Sequence, residues 1–355
     1  MNPQPDEKIR QLLITGEETI LSALQRMDSA DRKLLLIMKE NRFLGLISIG
    51  DLQRAIIRNL PLDTRVIQLI REDIIVAYSD EPMSAIRQKM MEHRIECMPV
   101  LDKERNLTRV LFWEDIFEGI SNKQQQKFSI PVVIMAGGEG TRLKPLTNVL
   151  PKPLIPIGEK TIIENIMDRF VEAGCNNFLI SVNYKAEMIA HYFETLKNPA
   201  YRIAFFREDR PLGTAGSMFL LKERINTTFF VSNCDILIDQ DLRELYDFHT
   251  ESRNRITIVA ALKHYKIPYG TIESGQQGML ESLSEKPEIT FKINSGVYLL
   301  EPDVLPLIPE NTFFHITDLI KVVQETGGKV GVFPISERSW TDYGLIENLP
   351  FLVKR

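Results

Sequence analysis

Residues 132–154 combine a glycine-rich turn with two separated basic side chains, a set suited to binding a polyanion. The turn is Gly137-Gly138-Glu139-Gly140-Thr141, and the whole stretch reads VVIMAGGEGTRLKPLTNVLPKPL. Glycines let the backbone approach a ligand closely, and successive backbone N–H groups can form a concave anion site. Arg142 adds a forked cation that suits phosphate, and Lys152 lies between two prolines that stiffen the chain around it. We expect this stretch to bind a nucleoside triphosphate.

The complete run is more specific than any single glycine in it. It lacks the Gly-Lys-Ser/Thr ending of a standard phosphate loop, and its glycine spacing differs from the dinucleotide-binding GxGxxG. The pattern GGxGTRLxPLTxxxPKPL resembles the motif of the sugar-1-phosphate nucleotidyltransferases, also called nucleoside-diphosphate-sugar pyrophosphorylases. The alternative is a structural glycine- and proline-rich loop. The resemblance implies that a sugar 1-phosphate oxygen attacks the α-phosphorus of a nucleoside triphosphate and that pyrophosphate leaves.

The resemblance assigns catalytic and metal-binding roles to four residues. Arg142 matches the arginine on the leaving phosphates, and Lys152 matches the lysine at the phosphates; we expect both head groups in a solvated cleft. Asp235, at the end of an apolar strand, matches a Mg²⁺-binding aspartate, and Asp342 in Trp-x-Asp matches the second metal carboxylate. Magnesium commonly uses one or two carboxylates together with phosphate oxygens, so two aspartates suffice. The alternative role of both aspartates is loop capping.

Other residues match the family's contacts to the nucleotide and to the sugar. The nucleotide set comprises Gly137, Gly138, Gly140, Thr141, Gly213, Thr214 and Ala215. The sugar set comprises Gly270, Glu285, Lys286 and Asn294. Small residues at 213–215 are expected to admit a planar base, whereas carboxylate, ammonium and amide groups recognise hydroxyl and phosphate oxygens. Ordinary loop polarity is the alternative explanation of the sugar set.

This chemistry does not require a general base. The second pKa of a phosphate monoester is about 6, so the attacking oxygen is already ionised at neutral pH. The five histidines are dispersed along the chain, in agreement with that expectation. Positioning and electrostatic stabilisation must then supply the catalysis.

Apolar runs and helix signals place the candidate residues at strand ends. Four runs are predicted as strands: 132–136, 178–182, 202–206 and 229–231. Thr161 and Glu164 have capping-box spacing, Gly174 ends that helix, and further helices are predicted to open within 212–217 and to span 316–325. The alternation predicts an α/β fold with a mostly parallel, Rossmann-like sheet and helices on both faces. Ligands gather at the carboxyl ends of such strands, so the glycine loop and Asp235 should meet.

The first 120 residues contain an internal repeat of helix, strand, strand and helix. Asp51 and Asp115 occupy matching places, 64 positions apart, each at the predicted start of a helix. The repeat resembles a tandem pair of CBS domains, a smaller α/β module that often binds adenine nucleotides. This resemblance implies a regulatory or assembly role for the N-terminal part.

The CBS nucleotide motif, Gly-x-x-Ser/Thr-x-x-Asp, is retained in only one repeat. The first repeat has Gly45, Ser48 and Asp51, which the resemblance assigns to a possible regulatory nucleotide, the aspartate holding the ribose. The second repeat has Arg109 and Phe112 in place of the glycine and the hydroxyl. The alternative role of the aspartates is to cap the helices that they precede.

The predicted domains are tandem CBS domains at 1–120, a polar linker at 121–129 and a nucleotidyltransferase domain at 130–355. No hexapeptide repeat follows, so we do not expect the β-helical acetyltransferase half of the bifunctional relatives. This domain order resembles the glucosamine-1-phosphate guanylyltransferases of bacterial legionaminic acid synthesis, which implies GTP and glucosamine 1-phosphate as substrates. Mannose-1-phosphate guanylyl transfer and uridylyl transfer are alternatives, and a nucleotide-sensing subunit with an inactive transferase fold is an alternative of another class.

Composition and charge limit the other partners. The net charge of −5 gives no reason to expect nucleic acid or an anionic membrane. The N-terminus lacks an apolar signal core, and no run approaches the ~18 apolar residues of a membrane span. The three cysteines are scattered without a CxxC motif, which argues against a disulfide framework or a zinc site and favours a reduced compartment. We expect a cytoplasmic homo-oligomer.

Overall fold

The computed structural model describes residues 7–30, 32–71, 74–93, 95, 97–112 and 129–349. The chain divides into two compact units, Met1–Gln126 and Lys127–Arg355. Asp115, the helix expected after it, and residues 121–128 of the predicted linker lie outside the described residues. No described helix is long and apolar enough to cross a membrane.

The N-terminal unit repeats one strand arrangement in its two halves. In the first half, β1 (Leu13–Thr15) is parallel to β2 (Leu34–Lys39), which is antiparallel to β3 (Arg42–Ser48). The second half pairs its strands in the same way: β4 (Ala77–Tyr78) with β5 (Cys97–Leu101), and β5 with β6 (Leu107–Phe112). The helices are α1 (Glu7–Arg10), α2 (Ile20–Ala30), α3 (Ile49–Ile57) and α4 (Met83–His93). This common pairing confirms the internal repeat.

The C-terminal unit alternates strands and helices along most of its length. Its longer strands are β7 (Val132–Met135), β10 (Asn177–Val182), β11 (Arg202–Arg207), β12 (Phe229–Asn233), β14 (Ile256–Lys266), β17 (Glu288–Leu300) and β18 (Val330–Ile335). Short strands pair as β8 (Pro156–Ile157) with β9 (Lys160–Thr161), β13 (Ile236–Ile238) with β19 (Trp340–Asp342), and β15 (Thr271–Ser274) with β16 (Leu280–Ser284). Its α-helices are α5 (Leu146–Val149), α6 (Ile162–Ala173), α7 (Ala186–Leu196), α8 (Leu242–Glu251) and α9 (Ile316–Glu325).

The seven longer strands form one sheet, in the order β11-β10-β7-β12-β17-β14-β18 among the described residues. β17 is antiparallel to both of its neighbours, and the other adjacent strands are parallel. The predicted mostly parallel sheet is therefore confirmed. Along the chain, β10 and β11 add to one side of β7 and β12 to the other. A change of direction of this kind leaves a crevice at the carboxyl ends of the strands.

Helices cover both faces of this sheet, as the sequence predicts. On one face, the ring of Phe170 in α6 contacts Phe178 and Phe230, with ring centroids 6.4 and 5.3 Å apart. On the other face, Val231 belongs to a core cluster that includes Leu319 of α9. Adjacent residues of β12 thus point into different cores, which explains why its first three residues are all apolar.

Local capping determines the bounds of α6 as predicted. The Thr161 hydroxyl accepts a hydrogen bond from the backbone N–H of Glu164, whose carboxylate accepts one from the N–H of Thr161 in return. Gly174 ends the helix with φ of 103°, a conformation that glycine adopts without strain. By contrast, the helix expected to open within 212–217 is a 3₁₀ helix, Gly216–Leu221. It starts late because the N–H groups of Ala215 and Gly216 both donate to the Phe314 carbonyl.

Strand register places four residues, two of them predicted site residues, in one row at the carboxyl edge. Met135 is paired with Asn233 of β12 and Ser181 of β10, and Ser181 is paired with Phe206 of β11. In each of these four strands, the residue two positions further along lies in the same row, where the chain leaves the sheet. The residues in that row are, across the sheet, Glu208, Asn183, Gly137 and Asp235.

Candidate active site

The two predicted metal carboxylates meet through the short β13–β19 pair. Asp342 is paired with Ile236, the residue after Asp235, and the backbone N–H of Tyr343 donates to the Asp235 carbonyl at 2.9 Å. The ammonium of Lys152 donates to Asp235 Oδ2. Arg142 Nη1 lies 3.9 Å from Asp342 Oδ2. The fold therefore brings together four residues from three distant segments of the sequence.

Gly344 lies at the centre of this group, although the sequence reading gave it no role. A methyl carbon built on Gly344 would lie 2.6 Å from Asp235 Oδ2 and 2.7 Å from both Asp342 Oδ1 and Lys152 Nζ. The two carboxylate oxygens are therefore no more than 5.3 Å apart. The Gly344 N–H also donates to Asp342 Oδ1 at 2.7 Å. A glycine two residues after a predicted metal carboxylate is the signal that could have identified it.

Burial makes it unfavourable for these two neighbouring carboxylates to carry negative charges at the same time. The side chains of Asp235 and Asp342 are 7% and 12% exposed. Burial and the neighbouring charge of Asp235 raise the pKa of Asp342, while the Gly344 N–H and the cations of Lys152 and Arg142 oppose that rise. Such a site favours additional positive charge.

The donor set fits a hard divalent cation such as Mg²⁺. Two converging carboxylates are the usual protein contribution to magnesium sites that also bind substrate phosphates. Among the described residues, no group of three His, Cys, Asp or Glu side chains converges on one point. Asp235 and Asp342 could thus hold the cation only together with oxygens from water or substrate, which suits a phosphate-handling site.

The two basic residues have different surroundings. Lys152 begins a short 3₁₀ helix, Lys152–Leu154, and its side chain is only 12% exposed. The expectation that its head group lies in a solvated cleft is wrong, because the ammonium is drawn inward by Asp235. Arg142 belongs to the 3₁₀ helix Thr141–Leu143, and its side chain is 62% exposed to solvent. The guanidinium of Arg142 therefore has room to move, whereas the ammonium of Lys152 is held by Asp235.

The three glycines of the loop have three different environments. A methyl carbon on Gly137 would lie 2.9 Å from Glu208 Oε1, and one on Gly140 would lie 2.9 Å from Thr147 and 3.0 Å from Lys152. Gly140 also has a left-handed φ of 64°. Around Gly138, nothing lies within 4 Å of the corresponding point. Packing thus requires Gly137 and Gly140, and Gly138 is the one of the three whose open side a ligand can approach.

Glu208 is a buried charged residue that the sequence reading missed. Its side chain accepts hydrogen bonds from the Ser181 hydroxyl and, at 3.0 Å, from the backbone N–H of Leu212. Asn183 donates to the Glu208 carbonyl at 2.8 Å. These contacts connect the ends of two strands to the 212–216 loop. An acidic residue two positions after the predicted strand 202–206 was the available signal.

The 213–215 loop is held by the chain just before α9. A methyl carbon on Gly213 would lie 2.7 Å from the Phe314 carbonyl oxygen. The Thr214 hydroxyl accepts a hydrogen bond from the Ile316 N–H at 3.0 Å, which caps α9. The expected reason for small residues here was space for a base. The structure gives Gly213 another reason, close backbone packing, and base contact by Gly213, Thr214 and Ala215 stays a prediction.

The predicted sugar residues fall into two separate places. A methyl carbon on Gly270 would lie 3.0 Å from Glu285 Oε2, and Lys286 follows with a left-handed φ of 47°. Asn294 lies further along β17 and accepts a hydrogen bond from the Gly296 N–H at 3.1 Å. No hydrogen bond or ion pair within the described part of the chain joins Asn294 to the other three. Their common role in binding a sugar stays a prediction.

In the N-terminal unit, Asp51 does not open its helix. Ser48 is the N-cap of α3, and Asp51 is the third helical residue, which completes a capping box with Ser48. Ser48 takes the cap position because its hydroxyl accepts from the Asp51 N–H while the Asp51 carboxylate accepts from the Ser48 N–H. Arg54 and Arg71 both donate to Asp51 Oδ1 at 2.6 Å. Burial alone would raise the pKa of Asp51, but the hydrogen bonds from Ser48, Arg54 and Arg71 outweigh it and lower that pKa.

Gly45 also has a structural role, and so has Phe112 at the corresponding hydroxyl position of the second repeat. A methyl carbon on Gly45 would lie 2.7 Å from the side chain of Ile70, so this glycine is required by packing. In the second repeat, Phe112 is buried and the guanidinium of Arg32 lies 5.2 Å from its ring centroid. Nucleotide binding at Gly45, Ser48 and Asp51 therefore stays a prediction.

The cysteines carry no sign of reactivity. Cys97, Cys175 and Cys234 are all buried, and none of them forms a disulfide bond. Burial, with the adjacent Asp235 charge, raises the pKa of Cys234 to about 12, so its thiol is protonated at neutral pH. Cys234 thus contributes packing below the carboxylate pair.

Comparison with known families finds a match in each of the two units. The family described as "Nucleotidyl transferase" matches residues 131–350, and the CBS domain family matches residues 66–122. The mannose-1-phosphate guanyltransferase of Pichia angusta is 38% identical over 184 residues, half of each chain. The mannose-1-phosphate guanylyltransferase catalytic subunit beta of Drosophila melanogaster is 34% identical over 182 residues, 50% of this chain and 49% of that protein. The chain thus spans about half the length of the curated relatives it matches.

Solved structures of other proteins are also similar to this chain. The crystal structure of HddC from Yersinia pseudotuberculosis complexed with GMP-PN has a TM-score of 0.49 at 24% identity, covering 62% of this chain and 96% of that one. A second HddC structure from the same organism has a TM-score of 0.48 at 25% identity, covering 61% and 95%.

Proposed function

Because the chain belongs to the nucleotidyl transferase family, we propose that it transfers a nucleoside monophosphate from a nucleoside triphosphate to a sugar 1-phosphate and releases pyrophosphate. The observation that carries this proposal is the convergence of Lys152, Asp235 and Asp342 around Gly344, at the edge of the sheet where the glycine loop also lies. Cations and carboxylates in that arrangement suit two phosphorylated substrates.

The chain's own residues would act by positioning and by charge. The phosphate nucleophile is ionised at neutral pH, so no residue needs to remove a proton from it. The main obstacle is repulsion between two polyanions. Lys152, fixed by Asp235, would contribute a preorganised positive charge near the reacting phosphate, and exposed Arg142 would follow the leaving pyrophosphate. Removing one preorganised group of this kind typically costs ~10²–10³ in rate.

We propose Mg²⁺ as the cofactor, held by Asp235 and Asp342. When bound, Mg²⁺ would neutralise part of the triphosphate charge. The proposal is supported by the two buried carboxylate oxygens within 5.3 Å of each other and by the raised pKa of Asp342. Burial and, after it, repulsion from Asp235 raise this pKa, and a divalent cation would reduce the repulsion.

GTP is the proposed nucleotide and mannose 1-phosphate the first candidate sugar. The relatives named above are mannose-1-phosphate guanyltransferases, which supports both choices. Glucosamine 1-phosphate is the second candidate, supported by the order of CBS domains and transferase domain. Guanine carries a ring carbonyl and an amino group in an arrangement that pyrimidines lack. A pocket that hydrogen-bonds both groups should reject other bases strongly.

A matrix of substrates tests these proposals. Purified full-length protein would be incubated with each of GTP, ATP, UTP, CTP and dTTP, paired with mannose, glucosamine or glucose 1-phosphate, with pyrophosphate release as readout. We expect the fastest release with GTP and either mannose or glucosamine 1-phosphate. Faster release with UTP or CTP would overturn the choice of GTP. Release with none of the pairs, in excess Mg²⁺, would favour a regulatory subunit with an inactive transferase fold.

A further inference from the structure

The segment that follows β10, residues 183–185, forms hydrogen bonds to the glycine loop and to residues 147–149, which precede Lys152. The Tyr184 N–H donates to the Gly137 carbonyl at 3.4 Å, and the Tyr184 hydroxyl donates to the Thr147 carbonyl at 3.1 Å. Lys185 Nζ donates to the carbonyls of Thr147, Asn148 and Val149. The two shorter of these distances, to Asn148 and Val149, are 2.7 Å each.

The backbone of Lys185 is unusual for a residue with a side chain. Its φ and ψ are 51° and 37°, the left-handed conformation, at the residue that precedes α7. Non-glycine residues in this region are uncommon and persist where the surroundings determine the conformation. Here the conformation accompanies an ammonium that meets three carbonyls. The far end of α7 offers a comparison, because Lys197 has φ and ψ of 45° each and an exposed side chain.

The three carbonyls belong to the end of α5, a helix of only four residues. The last carbonyls of a helix have no partner within it, so an external donor must satisfy them. Lys185 is such a donor, and it anchors α5 to the start of α7. Water could satisfy the same carbonyls at this surface, but it would not connect the two segments.

This anchor is connected to the reacting groups through Thr147. The Thr147 hydroxyl donates to the Gly140 carbonyl at 3.0 Å, and the point of a Gly140 methyl carbon lies 3.0 Å from Lys152 Cβ. Lys152 itself follows Val149 by three residues. Lys185 thus restrains both the glycine loop and the chain that presents Lys152.

We propose that Lys185 is a positioning residue for nucleotidyl transfer. Its ammonium anchors α5 to the carboxyl edge of the sheet, and α5 in turn determines the positions of Gly140 and Lys152 relative to Asp235. Lys185 contacts neither Asp235 nor Asp342 among the described contacts, so it acts through Lys152. For its effect on rate, this inference rests on the proposed function.

The matched variants are Lys185→Met and Lys197→Met, two left-handed lysines at opposite ends of α7. Misplacement of a catalytic group by about 1 Å can cost ~10²-fold in rate. We expect Lys185→Met to lower kcat about 10-fold or more with KM for both substrates within about twofold, and Lys197→Met to leave both constants unchanged. Lys185→Arg should recover part of kcat, because it keeps the charge and several donors. A raised KM with unchanged kcat would overturn the inference, since it would show direct substrate binding.

A second measurement does not depend on activity. Amide hydrogen exchange of full-length protein would be followed in peptides that span residues 137–154. We expect Lys185→Met to speed exchange there at least several-fold and Lys197→Met to leave it as in the wild type. Equal exchange in both variants would overturn the inference even if kcat fell. If wild-type protein released no pyrophosphate with any substrate pair, the proposed function would fail, and exchange alone would still decide whether Lys185 orders the loop.

Discussion

Replacing Gly344 with alanine is the most direct perturbation of the candidate active site. The added methyl group would point between three functional atoms, at 2.6 Å from Asp235 Oδ2 and at 2.7 Å from Asp342 Oδ1 and Lys152 Nζ. Contacts below 3.0 Å essentially never occur for a Cβ atom, and 3.4 Å is ordinary van der Waals contact. The variant therefore has to move these atoms, although it changes no charge and removes no ligand.

The size of the effect follows from these distances. Asp235 Oδ2 must recede by 0.4 Å to reach 3.0 Å and by 0.8 Å to reach an ordinary contact. Displacements approaching 1 Å at a reacting group can cost ~10²-fold. We expect Gly344→Ala to lower kcat by about 10- to 100-fold, which is about 1.4–2.7 kcal/mol of lost transition-state stabilisation.

The assay is pyrophosphate release by purified full-length protein, with thermal unfolding measured in parallel. Gly158→Ala is the control with the opposite expectation. An added methyl group at Gly158 would meet no atom within 4 Å, but the φ of Gly158 is 67°. A left-handed alanine costs roughly 1–2 kcal/mol, so Gly158→Ala should lose stability and keep its activity. Gly344→Ala should show the reverse. A kcat within twofold of wild type in Gly344→Ala would refute the assignment of Asp235, Asp342 and Lys152 to one reacting centre.

Four further predictions concern charged residues. Asp235→Asn, or excess chelator on the wild type, should abolish pyrophosphate release; normal turnover in either would exclude the metal role. Arg142→Ala and Lys152→Ala should each lower kcat by ~10²-fold. Only Lys152→Ala should also lower the melting temperature, because it leaves the buried carboxylate of Asp235 without its partner. Equal melting temperatures of the two variants would contradict the burial of the Lys152–Asp235 pair. Asp51→Ala should remove any AMP, ATP or GDP binding detected calorimetrically on the full chain; binding that persists would place the nucleotide elsewhere. The pKa of Asp51 is lowered from its ordinary value of 3.8. The stability that Asp51 contributes is therefore present above pH 3.8 and is lost as the pH falls through the lowered pKa. The free energies of unfolding of wild type and Asp51→Asn should differ at pH 6 and converge in strong acid.

Elements governed by local rules could be predicted closely from the sequence. Thr161, Glu164 and Gly174 determine the ends of α6 through hydrogen bonds to residues at most a few positions away. The helix Ile316–Glu325 also has the predicted bounds. The His315 N–H donates to Asp318 and glycines follow the helix, which are local signals, although the Ile316 N–H donates in addition to the distant Thr214. The order of strands and helices then sufficed to predict the mostly parallel sheet.

Features that depend on contacts between distant segments could not be predicted in this way. Gly213 was attributed to space for a base, but its neighbour is the backbone of Phe314, about 100 residues later. Glu208 and Gly137 became neighbours only through the register of β7, β10 and β11. Asp51 illustrates a local competition instead, because serine and aspartate can both cap a helix and the sequence does not say which one does.

The second carboxylate of the site depends on the last described segment of the chain rather than on the central sheet. Asp342 lies on β19, which pairs with β13 and with none of the seven strands of that sheet among the described residues. Two side chains hold this segment: the Trp340 indole N–H donates to the Ser295 carbonyl at 3.1 Å, and Asn348 donates to the Asp342 carbonyl at 2.7 Å. Asp235 follows a strand of the central sheet, whereas Asp342 is positioned through β19 and its pairing with β13. Because Lys152 pairs with Asp235, the carboxylate of Asp342 adds a second negative charge beside an ion pair that the rest of the domain already provides.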